Sequence, residues 1–155
     1  MLIRSATITD VPVILPMVAK LCALHESWDS AKFGFLPHLE QRYEGWLTQM
    51  VSQDRSVLLV AEDELQLVGF LEATVEREVP IYRLQEFAII HEIWVEQEYR
   101  HQGIARQMVM LSIERFNQMG VKQIRLETAE VNESARQLFA SCGFRTGTRE
   151  MLIEL

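Results

Sequence analysis

Little in this chain points to metal, redox or nucleic-acid chemistry. Cysteine occurs only twice, as Cys22 and Cys142, which lie far apart and share no metal-ligand spacing. No export signal is legible, so both thiols are expected to stay reduced, which argues against a disulfide framework and for a cytoplasmic setting. Basic residues are outnumbered, 15 Lys and Arg against 22 Asp and Glu, and the formal net charge is −7. Duplex binding needs Lys and Arg to neutralise phosphates, so a nucleic-acid partner is not expected. No apolar run is expected to span a membrane. Val11–Leu24 is the nearest thing to a leader, but Asp10 precedes it, Pro12 and Pro16 punctuate it and Lys20 interrupts it. An amphipathic first helix is the better reading. Repeats, linkers and low-complexity tracts are also absent, so residues 1–155 are expected to form one domain with a substantial core.

What is present is an alternation of strand- and helix-patterned segments. Leu2–Thr7 alternates as a first strand, and Thr9-Asp10 offers an N-cap to a helix that runs to about His25, bent at Pro16. Glu26–Pro37 reads as an aromatic-rich loop, and Leu39–Val51 as a second helix. Val57–Ala61 and Leu65–Val75 read as a hairpin around Glu62-Asp63-Glu64. A polar loop then leads to the strand Phe87–Val95 and the helix Ile104–Met119, stopped by Gly120. Gln123–Thr128 is expected to be a strand, Glu133–Cys142 a helix capped by Asn132, and Thr148–Leu155 a closing strand. The pattern implies an α/β fold: a mixed sheet with helices on both faces.

Between the strand Phe87–Val95 and the following helix lies Val95-Glu-Gln-Glu-Tyr-Arg-His-Gln-Gly-Ile-Ala-Arg106, a strand, a glycine turn and a helix start. The first amides of a helix lack partners within it, and the helix dipole makes that end locally positive. Gly103 removes the side chain that would keep an anion from the backbone, and Arg100 can add a forked donor. A phosphate-bearing ligand is therefore expected here. It is not a Rossmann site, because the turn holds one glycine, and not a P-loop, because no Gly-Lys-Ser/Thr follows.

Arg100-His101-Gln102-Gly103-Ile104-Ala105 resembles the phosphate turn of the GNAT superfamily of acetyl-CoA-dependent N-acetyltransferases, Gln/Arg-x-x-Gly-x-Gly/Ala. Asn132, Ala135, Leu138, Phe139 and Gly143-Phe144 match that family's later motif, and Ile3-Arg4 to Asp10 resembles its opening strand and first helix. The resemblance is strong over Phe87–Arg145 and weaker elsewhere. It implies a GNAT fold, with a mixed, mostly antiparallel sheet of six or seven strands whose central strand splays from its neighbour. It also implies acetyl-CoA as cofactor. Amides from Gln102 through Gly103, Ile104 and Ala105 to Arg106 would cradle the diphosphate, with Arg100 and His101 nearby. Backbone groups at Ile93, Trp94 and Val95 would bond the pantetheine arm as an added strand. Asn132, Ser134 and Ala135 would touch the arm, Phe139 would lie beside the thioester, and the Val95 amide would serve the carbonyl oxygen.

An alkylammonium, with a pKa of roughly 10.4, must lose a proton before it can attack. Candidate bases are Glu92, Glu127 and His91; the two carboxylates stand level and His91 third. Strict alternation places His91 with Ile93 and Val95 on one face, and Glu92 with Trp94 on the other. Many family members carry a tyrosine at the position of Phe139 that protonates the leaving thiolate, and phenylalanine cannot do so. The resemblance places the acceptor wall at His25, Glu26, Trp28, Asp29, Phe33, Phe35, Tyr43, Trp46 and Tyr82, where aromatics beside acids suit a cationic amine. The expected activity is acetyl transfer to a small-molecule amine, polyamine- or aminoglycoside-like rather than peptide, by direct attack, with a homodimer admitted by the resemblance. The rival is a GNAT-fold sensor that binds an acyl-CoA without turnover. No metal site is expected.

Overall fold

Two long antiparallel strands, β3 (Gln66–Arg77) and β4 (Glu86–Val95), form the centre of a five-stranded sheet. The computed structural model describes residues 1–155. Sheet order follows chain order: β1 (Leu2–Ser5), β2 (Ser56–Asp63), β3, β4 and β5 (Ile124–Leu126). All neighbours are antiparallel except β4 and β5, which run parallel. The β2–β3 hairpin closes at Glu64-Leu65, both with positive φ, one residue later than the acidic triplet indicated. Positive φ at both central residues gives the turn the twist that a two-residue hairpin needs.

The sheet is covered on both faces. On one side lie α1 (Val11–Trp28) and α2 (Leu39–Val51), whose Ile14, Val18, Leu21, Leu47 and Met50 pack on Leu58, Val60 and Phe70. On the other lies α3 (Ile104–Gln118), with α4 (Glu133–Ser141) beside it; Met108, Val109 and Phe116 pack on Leu59, Leu71, Ala73 and Ile90. By length and hydropathy alone, Ile8–Trp28 would pass as a membrane span, which the sequence reading did not expect. Here its 3.6-residue apolar stripe, Val11, Ile14, Val18, Leu21 and Cys22, is buried in the fold. Arg4 anchors its start. The guanidinium donates to both Asp10 oxygens at 2.7 and 2.9 Å and to Glu62 at 2.8 Å, so one side chain ties β1 to α1 and β2.

Two expectations are corrected. Thr148–Leu155 forms no strand but an exposed coil, so the sheet has five strands and not six or seven. Its alternating Met151, Ile153 and Leu155 stay exposed. β5 is itself only three residues long and offers little ladder to a further strand. The second correction lies within β4. Its register with β3 passes from Glu72↔Glu92 to Ala73↔Ile90, which leaves His91 as an inserted residue. Such a bulge resets the alternation of faces. His91 therefore joins Glu92 and Trp94 under α1 and α2, while Ile90, Ile93 and Val95 face α3.

Gly69 sits opposite Val95, and a Cβ there would lie 2.7 Å from the Trp94 carbonyl oxygen. Gly69→Val is expected to force β3 from β4 and to cost about 1–3 kcal/mol. A urea titration measures this, and an unchanged midpoint would refute the close approach.

Candidate functional site

The turn before α3 is built to expose amides. His101 and Gly103 both adopt positive φ, 61° and 79°, and the first helical bond of α3 runs from the Gln107 amide to the Gly103 carbonyl at 3.0 Å. From His101 to Arg106, six consecutive amides find no acceptor anywhere in the protein. Ile104 is buried under the helix start and fixes this array to the core. A Cβ built on Gly103 would meet nothing nearer than the Gln107 Nε2 at 3.9 Å, so the mouth of the turn is open. Aligned amides at a helix N-terminus attract anions through their dipoles. The residues present thus fit a diphosphate. His101, Gln102 and Arg106 are exposed around the turn. Arg100 is engaged elsewhere: its Nε donates to the Val95 carbonyl at 2.9 Å and its guanidinium lies 4.6 Å from the Trp94 ring centroid. One donor of the fork expected of Arg100 is thus spent on the strand edge, while its Nη1 and Nη2 make no hydrogen bond within the chain.

Beside the turn, the sheet opens. β4 pairs with β5 only over Ala88–Ile90 and then continues alone to Val95. The Glu96 amide donates to the Val68 carbonyl at 2.8 Å, so Gly69 and Val95 form a pair that does not exchange bonds with each other. In such a pair each residue's own amide and carbonyl point outward. Val95 and, two residues earlier, Ile93 thus present backbone groups to the side that β5 has vacated. The Val95 carbonyl accepts from Arg100, and its amide is free. At the start of α4, the Asn132 Oδ1 accepts from the Ala135 amide at 3.1 Å, a helix cap, with Ser134 exposed beside it. Phe139 is in the core, 5% exposed, with its ring edge-on to Phe144.

Trp94 faces the other way and forms part of an open cleft of about 930 Å³ with Lys20, Leu24, Glu96 and Arg100. Two positions along the same face lie the acids. The Tyr43 hydroxyl, from α2, donates to the Glu92 Oε1 at 3.4 Å. Burial raises the Glu92 carboxyl to about 7, and Tyr43 offsets part of that. Directly opposite, on β3, is Glu72, which the sequence reading did not single out. It is wholly buried, neither carboxyl oxygen has a hydrogen-bond donor, and burial followed by the Glu92 charge holds it well above the usual range. The signal was available: Phe70-Leu71-Glu72-Ala73 is a lone acid in a strand covered on both faces, the same reasoning that marked Glu92. Burial also pushes the nearby Cys22 thiol up to about 11. The Trp94 Nε1 is buried without an acceptor.

His91 lies on this face too, its ring 5.2 Å from that of Trp46. Its Nε2 is 2.7 Å from the Thr74 hydroxyl, which itself donates to Glu76 at 2.7 Å, so the Nε2 is the protonated nitrogen. Burial lowers its pKa, so the ring is held neutral. Glu127, in contrast, falls just beyond the short β5, exposed and without a hydrogen bond. The structure therefore separates two carboxylates that the sequence left level. Of the expected acceptor wall, Tyr43 and Trp46 are brought to Glu92 and His91. His25, Trp28 and Phe33 form their own cluster at the end of α1, with the His25 ring 5.3 and 5.1 Å from the other two. Asp29 caps the turn after α1 by accepting from the Ala31 and Lys32 amides, and Tyr82 is exposed on the loop between β3 and β4.

The sequence profile of the acetyltransferase (GNAT) family matches residues 21–144. Human N-acetyltransferase 8 is 30% identical over 95 residues, 61% of this chain, and the match spans 41% of that protein's length. Among solved structures, the BH1408 protein from Bacillus halodurans, determined as a tetramutant, superposes with a TM-score of 0.85 at 21% identity over the whole of both chains. An aminoglycoside 6'-N-acetyltransferase from Acinetobacter haemolyticus superposes with a TM-score of 0.76 at 17% identity, covering 100% of this chain and 98% of the other. At those identities the two structures establish the fold alone.

The raised Glu92 carboxyl has a consequence for stability. The unfolded chain releases this proton above pH 4.5 whereas the folded protein keeps it to about 7, so stability falls as pH rises through that window. His25 and His91, lowered by burial, act with the opposite sign in part of the same range. Comparing Glu92→Gln with the wild type at each pH cancels them. The variant is expected to gain relative stability from pH 4.5 to 7, on the order of 1–3 kcal/mol, and to level off above. Chemical denaturation across pH measures the difference, and a flat one would rule out the raised carboxyl.

Proposed function

The chain belongs to the acetyltransferase (GNAT) family, and we propose that it moves an acetyl group from acetyl-CoA to the primary amine of a small cationic acceptor by direct attack. The observation that carries this reading is the run of six unpaired amides, His101–Arg106, set beside the free edge of β4. Bound there, acetyl-CoA supplies an acetyl group activated as a thioester. The amides at the start of α3 would hold its diphosphate, helped by the charge of Arg106. Outward backbone groups at Ile93 and Val95 would bond the pantetheine amides as a short added strand. Asn132, Ser134 and Ala135 would border that arm, with Phe139 packed behind it. The free Val95 amide would donate to the carbonyl oxygen as its charge grows.

Glu92 is the base best supported by the geometry. It shares a face with Trp94, whose ring borders the cleft, and a carboxyl near 7 matches the pH at which it must accept a proton from an alkylammonium. Glu92 takes the ammonium's proton to free the attacking amine; as the new C–N bond forms and the C–S bond breaks, the second nitrogen proton leaves to water. Phe139 has no hydroxyl for the leaving thiolate, so water protonates it, at modest cost for a thiol of pKa about 8.5. His91 is less suited, since its Nε2 already donates to Thr74 and only the Nδ1 can accept. Aromatic rings with buried acids favour a cationic acceptor such as a polyamine or aminoglycoside over a peptide amine. The free cysteines are consistent with a cytoplasmic enzyme. The missing hydroxyl at Phe139 is what favours the second reading, a sensor that binds an acyl-CoA without turnover.

Gly103→Glu is expected to weaken CoA binding at least about 100-fold through bulk, strain and charge. Calorimetry with unchanged affinity would remove the turn from the site. Glu92→Gln is expected to lower kcat about 100- to 10,000-fold with CoA affinity intact. A thiol-release assay over an amine panel reads both the activity and its loss. Tight CoA binding with no turnover on any amine would select the sensor.

A further inference from the structure

We propose that Glu72 is a positioning residue for Glu92: the two carboxyls face each other across β3 and β4 and hold one proton between them beneath α1 and α2. The functional half of this inference rests on the reading of Glu92 as the base, while the protonation half concerns the unliganded chain alone. Glu72 and Glu92 are register partners, and directly opposed residues of an antiparallel pair project from the same face with their Cβ atoms about 4.5–5.5 Å apart. Glu72 is wholly buried and neither of its oxygens receives a hydrogen bond.

The groups that face the pair offer no positive charge. α1 contributes Cys22, a thiol that burial keeps protonated, and α2 contributes the Tyr43 hydroxyl, with Glu40 of the same helix adding negative charge near Cys22. On β4, His91 is neutral and bonded to Thr74, which leads on to Glu76 of β3. No ion pair reaches either carboxyl; the acids that do pair with cations are Asp10, Glu62, Asp63, Glu78, Glu86, Glu96, Glu130 and Glu150. Two like charges so close in a dry site cannot both persist, and one proton must stay.

The surroundings decide which oxygen keeps it. Glu92 is the less buried of the two and already accepts from Tyr43, so the negative charge settles there. Glu72 keeps the proton and is left with a hydroxyl as a donor to Glu92. That donor stabilises the ionised base, and a hydrogen bond to the charged form favours it. Glu92 therefore works as an ion held by Tyr43 on one side and by Glu72 on the other. When the acceptor nitrogen gives up its proton, Glu92 takes it and the pair passes from one proton to two.

The test compares Glu72→Leu, which removes the donor, with Glu72→Gln, which keeps an N–H donor without a titrating proton. Infrared pH titration of the unliganded full chain should show a protonated-carboxyl band that survives above neutral pH in the wild type and is lost in Glu72→Gln. In kcat/KM profiles the acid limb should move up by about one pH unit or more in Glu72→Leu, with kcat rather than acceptor KM falling at pH 7. Glu72→Gln should restore the wild-type limb. A residue that only filled space would leave that limb in place for any variant that folds. A wild type with no protonated carboxyl above neutral pH, or coincident Leu and wild-type profiles, would overturn the proposal. Should no amine be turned over, acetyl transfer fails while the infrared comparison still decides whether the pair shares a proton.

Discussion

β4 has a partner along its whole length on one side and along only part of it on the other, and the geometry of the site follows from that asymmetry. Where β5 stops at Leu126, the outward amide and carbonyl groups of Ile93 and Val95 lose the neighbour that a continuous sheet would provide. Unpaired backbone groups are expensive unless water or a ligand satisfies them. The strand then gives way to a turn whose own amides are also unpaired, and α3 begins with Ile104 fixed in the core. One stretch of chain thus presents a strip of strand edge and a helix start side by side on rigid elements, as a positioned ligand requires.

The other face of β4 carries a different cost. Glu72 and Glu92 lie in a region whose remaining residues, Leu58, Val60, Phe70 and Leu47, would suit an ordinary core. An ionised carboxylate without donors in such surroundings is destabilising by several kcal/mol. The structure offsets little of that: Glu92 has the Tyr43 hydroxyl at 3.4 Å, and Glu72 has no donor at all. Local instability of this kind, confined to one face of two paired strands and adjoining the cleft at Trp94, is where shifted protonation and function tend to coincide.

What was legible in the sequence was local, and what was not depended on distant partners. The turn could be read because glycine, strand ending and helix start fall within a dozen residues, and α2 falls on Leu39–Val51 as its periodicity indicated. Glu92 stood out as an acid among apolar residues. His91 was placed on the wrong face because a period of two holds only until an inserted residue breaks it, and the bulge belongs to the pairing with β3 rather than to the β4 sequence. Thr148–Leu155 alternates like a strand, yet alternation supplies no partner, and the neighbouring edge is too short to provide one. The Arg100 side chain could be assigned to the turn by spacing, but its direction follows from the Val95 carbonyl and the Trp94 ring, which only the folded chain brings to it.

A chain with a formal net charge of −7 is an unpromising host for a polyanion, and the structure indicates how that conflict is met. Overall charge acts at long range and is screened over roughly 8 Å at physiological ionic strength, whereas amides act at contact. On the proposed reading, six N–H groups left without acceptors at one turn need no cationic side chain to attract an anion, and Arg100 can be spent on Trp94 and the strand edge. The acids meanwhile sit on the opposite face of the sheet, under α1 and α2, where negative charge draws a cation and does not repel the anion. Separating the two by the thickness of a single strand would let one acidic domain offer the proposed anion site and the proposed proton acceptor near the same strand end.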